Sequence, residues 1–275
     1  MKDVKRYYTS LETRLGNWLL FNGRAHLGLY PVSTWWPFPI RRALLAMEDH
    51  MFQSLNLSSG ALVLDAGCGD GQVAIAFAQR GLRVHAVDVL LEQVRRARQN
   101  VSRLLDDQGE TTVTVRQDDY HRLETVDEGS LDGIYTIETL VHARDLPAVL
   151  KEFRRVLKPG GRLALYEYDH WAQTADTMAL EQEKVRRYGA IASDSSEGAS
   201  GLARILADAG FEDVREMDLT LNVRPLLRVL AWILYIPCMI VVALGVEASF
   251  INTVAVVVNY CNGWRYLAVT GSKPV

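Results

Sequence analysis

From Ala61 onward, apolar residues follow two alternating rhythms. "ALVLDAG" and "LRVHAVD" are short apolar runs with the length of buried strands. "GQVAIAFAQRG" and "LEQVRRARQNVSRLL" repeat their apolar positions every three or four residues, as one face of a helix does. Gly81 stands where the first of these helices should be capped. "TVTVRQDD", "LDGIYTIE" and "RLALYEYD" read as three further strands, and "RDLPAVLKEFRRVL" and "ASGLARILADAG" as helices. "KPGG" predicts a turn before the fifth strand. "FEDVREMDLT" and "WRYLAVTGSKP" supply the sixth and seventh strands. This alternation predicts an α/β fold built on a doubly wound, mostly parallel seven-stranded sheet.

Two regions break the rhythm. The first sixty residues are rich in rings ("RYYTS", "NWLLFNGRAHLGLY", "STWWPFP") and end in the helical stretch "RRALLAMEDHMFQSLNL". They predict a helical, aromatic lid. Between the last two strands, "VLAWILYIPCMIVVALGV" runs from Val229 to Val246 without a charge. At ~1.5 Å per residue it reaches about 27 Å, marginally a membrane span. Pro237 would kink it. A single crossing would separate the last two strands, and the return stretch "ASFINTVAVVVNY" is short and carries Asn252 and Asn259. The run is therefore expected to be an insertion, with three roles open: cover over a substrate entrance, contact with a membrane surface, or a homodimer interface. The organisation expected is a lid over 1–57, a core over 58–221, the insertion over 222–263 and the final strand over 264–275.

Composition narrows the partners. The 275 residues carry a net charge of −3, with 49% hydrophobic residues, and the pI is near 6.1. This lacks the basic excess of nucleic-acid binders. Cys68, Cys238 and Cys261 are odd in number and far apart, with neither a disulfide framework nor zinc spacing. His26, His50, His85, His121, His142 and His170 are scattered, and no metal site is expected. The N-terminus has charges but no apolar run behind them, so it does not read as a secretory signal. A cytoplasmic location is expected, with peripheral contact to an internal membrane left open.

The chemistry lies at the strand ends. Asp65, Gly67, Gly69 and Gly71 occupy a strand-to-helix turn in "VLDAGCGDGQ". Glycine lets backbone approach a ligand closely. The spacing is not that of pyrophosphate binding, and the carboxylate before it suits a cation or an amino group. Asp88 ends the second strand, where an acid reaches a ribose diol. Asp118 and Asp119 end the third, within reach of an adenine amino group. Together they describe a ligand with a ribose, an adenine and a positive charge, and no phosphate.

"VLDAGCGDG", "VHAVDV" and "RVLKPGGRLAL" resemble the motifs of Rossmann-like class I S-adenosyl-L-methionine-dependent methyltransferases, over roughly Ala61 to Tyr168. "IYTIETLVHARDLPAVLKEFRRVLKPGGRLALYEYD" is similar to a stretch of the sterol 24-C-methyltransferases, and "RYYTS" to their paired tyrosines. The segment after Leu221 departs from the usual sterol-binding tail. The resemblance implies S-adenosyl-L-methionine as cofactor. It would be held by Asp65, Gly67, Cys68, Gly69 and Gly71, by Asp88 and Val89, by Asp118, Asp119 and Tyr120, and by Glu138; of the adjacent acids, Asp119 is preferred to Asp118.

The expected reaction is methylation of a hydrophobic small molecule, sterol-like, terpenoid or polyketide, at carbon. Carbon methylation of an alkene passes through a cation and then needs a base. Glu138, His142, Glu167, Tyr7 and Tyr8 are the catalytic candidates, with Trp35 and Trp36 as an aromatic wall and His121 and His170 as lesser bases. If "ETLVHARD" begins a helix, Glu138 and His142 share a face. A second class of function uses the same scaffold: methyltransferase-like pericyclases hold the cofactor as an electrostatic element while a polyketide undergoes Diels–Alder cyclisation.

Overall fold

The computed structural model describes residues 11–16, 21, 23–105, 112–169, 201–262 and 264–275. In chain order the elements are α1 (Leu11–Gly16), α2 (Arg41–Leu55), β1 (Leu62–Ala66), α3 (Gln72–Ala78), β2 (Arg83–Asp88), α4 (Leu91–Leu104), β3 (Val113–Gln117), β4 (Leu131–Ile137), α5 (Leu146–Val156), β5 (Leu157–Tyr168), α6 (Gly201–Asp208), β6 (Glu212–Asp218), α7 (Thr220–Leu244), α8 (Ile251–Asn262) and β7 (Tyr266–Ser272). The strands form one seven-stranded sheet in the order β3-β2-β1-β4-β5-β7-β6. β1 runs parallel to β2 and β4, β2 to β3, and β4 to β5. The order reverses between β1 and β4, and such a switch point opens a crevice at the carboxyl ends of the strands. This is the expected Rossmann-like methyltransferase fold.

Two local expectations change. "KPGG" does not precede the fifth strand; it lies inside β5, where Leu131 pairs with Leu157 but Gly133 with Arg162. The surplus residues are accommodated as a bulge, with Gly160 at φ 74°. The apolar run belongs to a longer helix, which begins at Thr220, continues through Pro237 and closes at Gly245 in the left-handed conformation.

The described residues belong to two compact units. One comprises 48–167, 200–217 and 267–275 and holds the glycine turn and every acidic strand end named above. Its helices bury regular stripes, such as Leu146, Val149, Leu150 and Phe153 of α5. The other comprises 1–47, 168–199 and 218–266. There Cys238 and Val241 of α7 pack with Ile251, Val254, Val257 and Val258 of α8. Glu12 of α1 caps α8 by accepting from the amides of Asn252 and Thr253 at 2.8 and 2.7 Å, an anion at a helix N-terminus.

Candidate active site

The turn after β1 uses its own donors. The amides of Gly67 and Cys68 both donate to the Val87 carbonyl at 2.9 Å, and that of Gly71 donates to the Cys68 carbonyl at 2.8 Å. The Gly69 amide donates to Asp88 Oδ2 at 3.0 Å. A phosphate cradle needs such N–H groups turned to the ligand; here four of them are engaged within the protein. A Cβ on Gly67, at φ 96°, would stand 2.5 Å from Thr139 Oγ1, and one on Gly71 would stand 3.0 Å from the Cβ of Ala97. A Cβ on Gly69 would meet nothing within 4 Å. Two of the glycines thus permit close packing, and Gly69 is the one bordering open space. Cys68 is buried, and burial raises its thiol well above the ordinary range.

Asp88 joins the turn to β2. Its Oδ1 accepts from the Leu90 amide at 2.8 Å while Oδ2 takes Gly69. Each oxygen keeps lone-pair capacity for a second donor. Val89 contributes its carbonyl to Gln117 Nε2 at 3.0 Å.

The paired acids after β3 have separate jobs. Asp118 accepts from the amides of Asp119, Glu124 and Thr125 and from the Thr125 hydroxyl, at 2.6 to 3.2 Å. Its carboxylate builds the turn, so Asp118 leaves the expected cofactor set on geometric grounds. Asp119 is half-exposed. Its Oδ1 accepts from the His121 amide at 3.0 Å and pairs with His121 Nδ1 at 2.6 Å, and that hydrogen bond holds the carboxyl below its usual range. His121 Nε2 accepts from the Arg144 amide at 3.1 Å, so in the neutral ring the proton sits on Nδ1. Both ring nitrogens are engaged, and His121 positions Asp119 rather than serving as a base. The Tyr120 hydroxyl donates to the Thr139 carbonyl at 3.2 Å.

After β4 the chain does not enter an α-helix. Glu138 has φ 55°, and a three-residue 3₁₀ turn spans Leu140–His142. The expectation that Glu138 and His142 share a helix face therefore fails. The cause is Glu167, fully buried on β5. Its Oε1 accepts from the amides of Thr139 and Leu140 at 3.1 Å each and from the Thr136 hydroxyl at 3.0 Å, drawing the turn inward. Thr139 Oγ1 in turn donates to the Ala66 carbonyl at 2.9 Å. A left-handed non-glycine backbone at a strand end is a strain that sites retain. Alternation sends Tyr166 to the other face; its hydroxyl lies 2.5 Å from His50 Nδ1 and 3.3 Å from Ser54 Oγ. Tyr7, Tyr8 and His170 lie outside the described residues. Trp35 and Trp36 are exposed.

Three carboxyls here are pushed up. Burial raises Asp65 to about 7, and the charge of Asp88 adds to the rise. Burial raises Asp88 to about 6 against the amides of Leu90 and Gly69, with Asp70 adding to the rise. Burial raises Glu167 to about 8 against its three donors, with Glu138 adding to it, and its Oε2 is buried without a hydrogen-bond partner. A cation placed among these groups would favour their ionised forms. The donor-poor turn, the spare acceptor capacity of Asp88 and this acid excess suit a cationic nucleoside and oppose a phosphate.

Sequence reasoning did not find Thr139, which fills the space over Gly67, or the role of His121. The one signal was adjacency: Thr139 follows Glu138, and His121 follows Tyr120. Their partners are set by tertiary contact.

Comparison with known proteins agrees with the family and the cofactor expected. A family model described as a methyltransferase domain matches residues 64–165. The chain is 36% identical over 283 residues to an S-adenosyl-L-methionine-dependent Diels-Alderase of Talaromyces variabilis, covering 99% of this chain and 95% of that one. A second such Diels-Alderase, from Neonectria sp. (strain DH2), is 36% identical over 216 residues, 77% of this chain and 83% of that one. A sterol 24-C-methyltransferase of Gibberella zeae is 34% identical over 185 residues, 65% of this chain and 46% of that one. Among solved structures, the [4+2]-cyclase SpnF superposes with a TM-score of 0.70 at 20% identity, covering 96% and 95% of the two chains. That is a likeness of fold.

Proposed function

The chain belongs to the S-adenosyl-L-methionine-dependent methyltransferase superfamily, and from that premise we propose that it is a pericyclase that closes a polyketide by [4+2] cycloaddition and retains its cofactor unchanged. The observation that carries this reading is the extent of the likeness. Identity to the Diels-Alderase of Talaromyces variabilis runs through 99% of the chain, α7 and α8 included, whereas the sterol methyltransferase matches 65% of it. The expectation of carbon methylation thereby becomes the second reading.

The cofactor, S-adenosyl-L-methionine, supplies a fixed positive charge beside the substrate when bound. Asp88 would hold the ribose hydroxyls through the lone pairs left over from Gly69 and Leu90. Asp119, oriented by His121, would accept from the adenine amino group. Asp65 and Glu167 would offset the positive charge, and the contact of Gly67 with Thr139 fixes the floor between β1 and β4.

In the cycloaddition three π bonds become one, and two carbon–carbon σ bonds form. No atom or proton leaves, so the residues need to hold shape and charge rather than move protons. That fits side chains already committed: His121 uses both nitrogens, and Glu167 Oε1 accepts three donors. Methyl transfer keeps one observation in its favour. Glu138, in strained backbone at the end of β4, is a carboxylate that could remove a proton after carbon methylation, with His142 four residues further on.

The test incubates the protein with a linear polyketide bearing a diene and a dienophile, and with either S-adenosyl-L-methionine or the uncharged S-adenosylhomocysteine. The proposal expects a cyclic isomer of unchanged mass, formed at least about tenfold faster with the charged cofactor, a barrier difference of about 1.4 kcal/mol. One S-adenosylhomocysteine released per product would sink it and support methylation.

A further inference from the structure

We propose that the outward face of α7, with the Trp35–Trp36 segment beside it, is a docking surface for an anionic lipid bilayer, with the helix lying in the plane of the headgroups.

The first turns of α7 are buried on most sides, through Val223, Pro225, Leu226, Val229, Leu230 and Ala231, but from Trp232 onward the helix buries one side only: Cys238 and Val241 face inward, while Trp232 (61% exposed), Ile233, Ile236 (65%), Met239, Ile240 and Leu244 (70%) face out. At about 100° per residue these six span an arc of about 140°, and none is charged. Only 28% of the most apolar 18-residue window is buried, the reverse of a core helix. Scattered exposed apolar side chains are ordinary, but a continuous stripe marks a partner.

The residues at the start of the stripe say which partner. Arg228 Cζ stands 5.7 Å from the Trp232 ring centroid. Its Nη2 donates to the carbonyls of Thr34 at 3.2 Å and Trp35 at 2.6 Å. Those bonds bring Trp35 (72% exposed) and Trp36 (55%) beside the first turns of α7. Asn222 and Tyr30 tie the two segments again, amide to carbonyl in both directions. Tryptophans beside arginines suit the headgroup layer, where the ring straddles the boundary and the guanidinium meets phosphate. Residues 23–47 and 219–246 together hold five arginines and no Lys, Asp or Glu, in a chain of net charge −3. Of these, Arg224 and Arg228 lie on α7 itself, and a twofold contact through its first turns would bring them toward their own copies, which disfavours a second copy as the occupant.

The helix lies on the bilayer and does not cross it. The chain leaves β6, passes through α7 and α8 and returns to β7, the neighbour of β6 in the sheet. α8 has 12 residues, about 18 Å at 1.5 Å each, against a hydrocarbon core of about 30 Å.

The experiment floats the full-length protein, with S-adenosyl-L-methionine present, on vesicles of 70:30 phosphatidylcholine and phosphatidylserine and on pure phosphatidylcholine. The protein should float with the anionic vesicles, release as salt is raised, and bind the neutral ones more weakly. The double variant Ile236→Glu/Ile240→Glu should lower partitioning on the order of 100-fold. Its affinity for S-adenosyl-L-methionine, measured in lipid-free buffer, should stay within about twofold of the parent, a control that the variant is folded. Three results would overturn the proposal: no flotation with anionic vesicles, flotation unaffected by the folded double variant, or a lipid-free dimer that the double variant converts to monomer and that does not float. This test does not depend on the reaction proposed above.

Discussion

Asp88→Ala is the substitution that most sharply separates cofactor recognition from folding. The carboxylate has two tasks in one place. It accepts from the amides of Gly69 and Leu90 at 3.0 and 2.8 Å, and its remaining lone pairs are assigned to the ribose diol. A hydrogen bond to a charged group contributes about 1.5–3 kcal/mol. Losing two such bonds to the ribose corresponds to roughly 3–6 kcal/mol, from about 100-fold to more than 10,000-fold in affinity. The lost amide contacts would lower stability by less than their sum, because burial already penalises this carboxylate. Isothermal titration calorimetry with S-adenosyl-L-methionine at pH 7.5 measures the first effect, and thermal unfolding without cofactor measures the second. Adenosine alone should show the same relative loss, since the contact is to the sugar. Affinity of the parent should also fall as pH drops through about 6, where Asp88 takes up a proton, and the variant should lose that component. A folded Asp88→Ala protein binding within threefold of the parent would refute the ribose assignment.

The remaining expectations concern the same floor. Gly67→Ala should lower stability by about 1–3 kcal/mol, because its Cβ would collide with Thr139 at a φ of 96°; a melting temperature within a degree of the parent would be inconsistent with that contact. Gly69→Ala meets open space, so it should change stability less and cofactor affinity more, which calorimetry and melting together would show. Glu167→Ala strands three donors at about 1 kcal/mol or more each, whereas Glu167→Gln keeps an acceptor for them; comparable denaturant midpoints for the two would contradict the role given to Oε1. Asp65, Asp88 and Glu167 all have folded-state values raised above their unfolded ones, to about 7, 6 and 8. Their stabilising contribution is present in full below about pH 4 and is lost as pH rises through about 6 to 8. Fluorimetric melts should therefore show cofactor-free stability falling across that window and stabilisation by S-adenosyl-L-methionine growing across it. A pH-independent cofactor shift would count against the acid cluster.

What could be read from the chain was local. The ends of β1, β2 and β3 carry Asp65, Asp88 and the Asp118–Asp119 pair, and apolar periodicity alone placed them at one edge of a sheet. The division of labour between Asp118 and Asp119 was less legible, since it depends on Thr125 and His121 folding back onto them. Whether a helix follows β4 was left open by the sequence for a similar reason: the shape of that turn follows from a carboxylate on β5, 28 residues beyond Thr139. The uncharged run announced itself by composition, but which side of it is buried depends on α8, which no pattern within α7 encodes.

The central claim is that the cofactor's charge, and not its methyl group, serves the reaction. The most direct measurement is mass spectrometry of product formed with S-adenosyl-L-methionine labelled CD₃ at sulfur. The expected result is a cyclised product isomeric with its substrate, free of deuterium, with the labelled cofactor recovered intact. A product heavier by one CD₃ group in place of hydrogen, with an equivalent of S-adenosylhomocysteine, would contradict it.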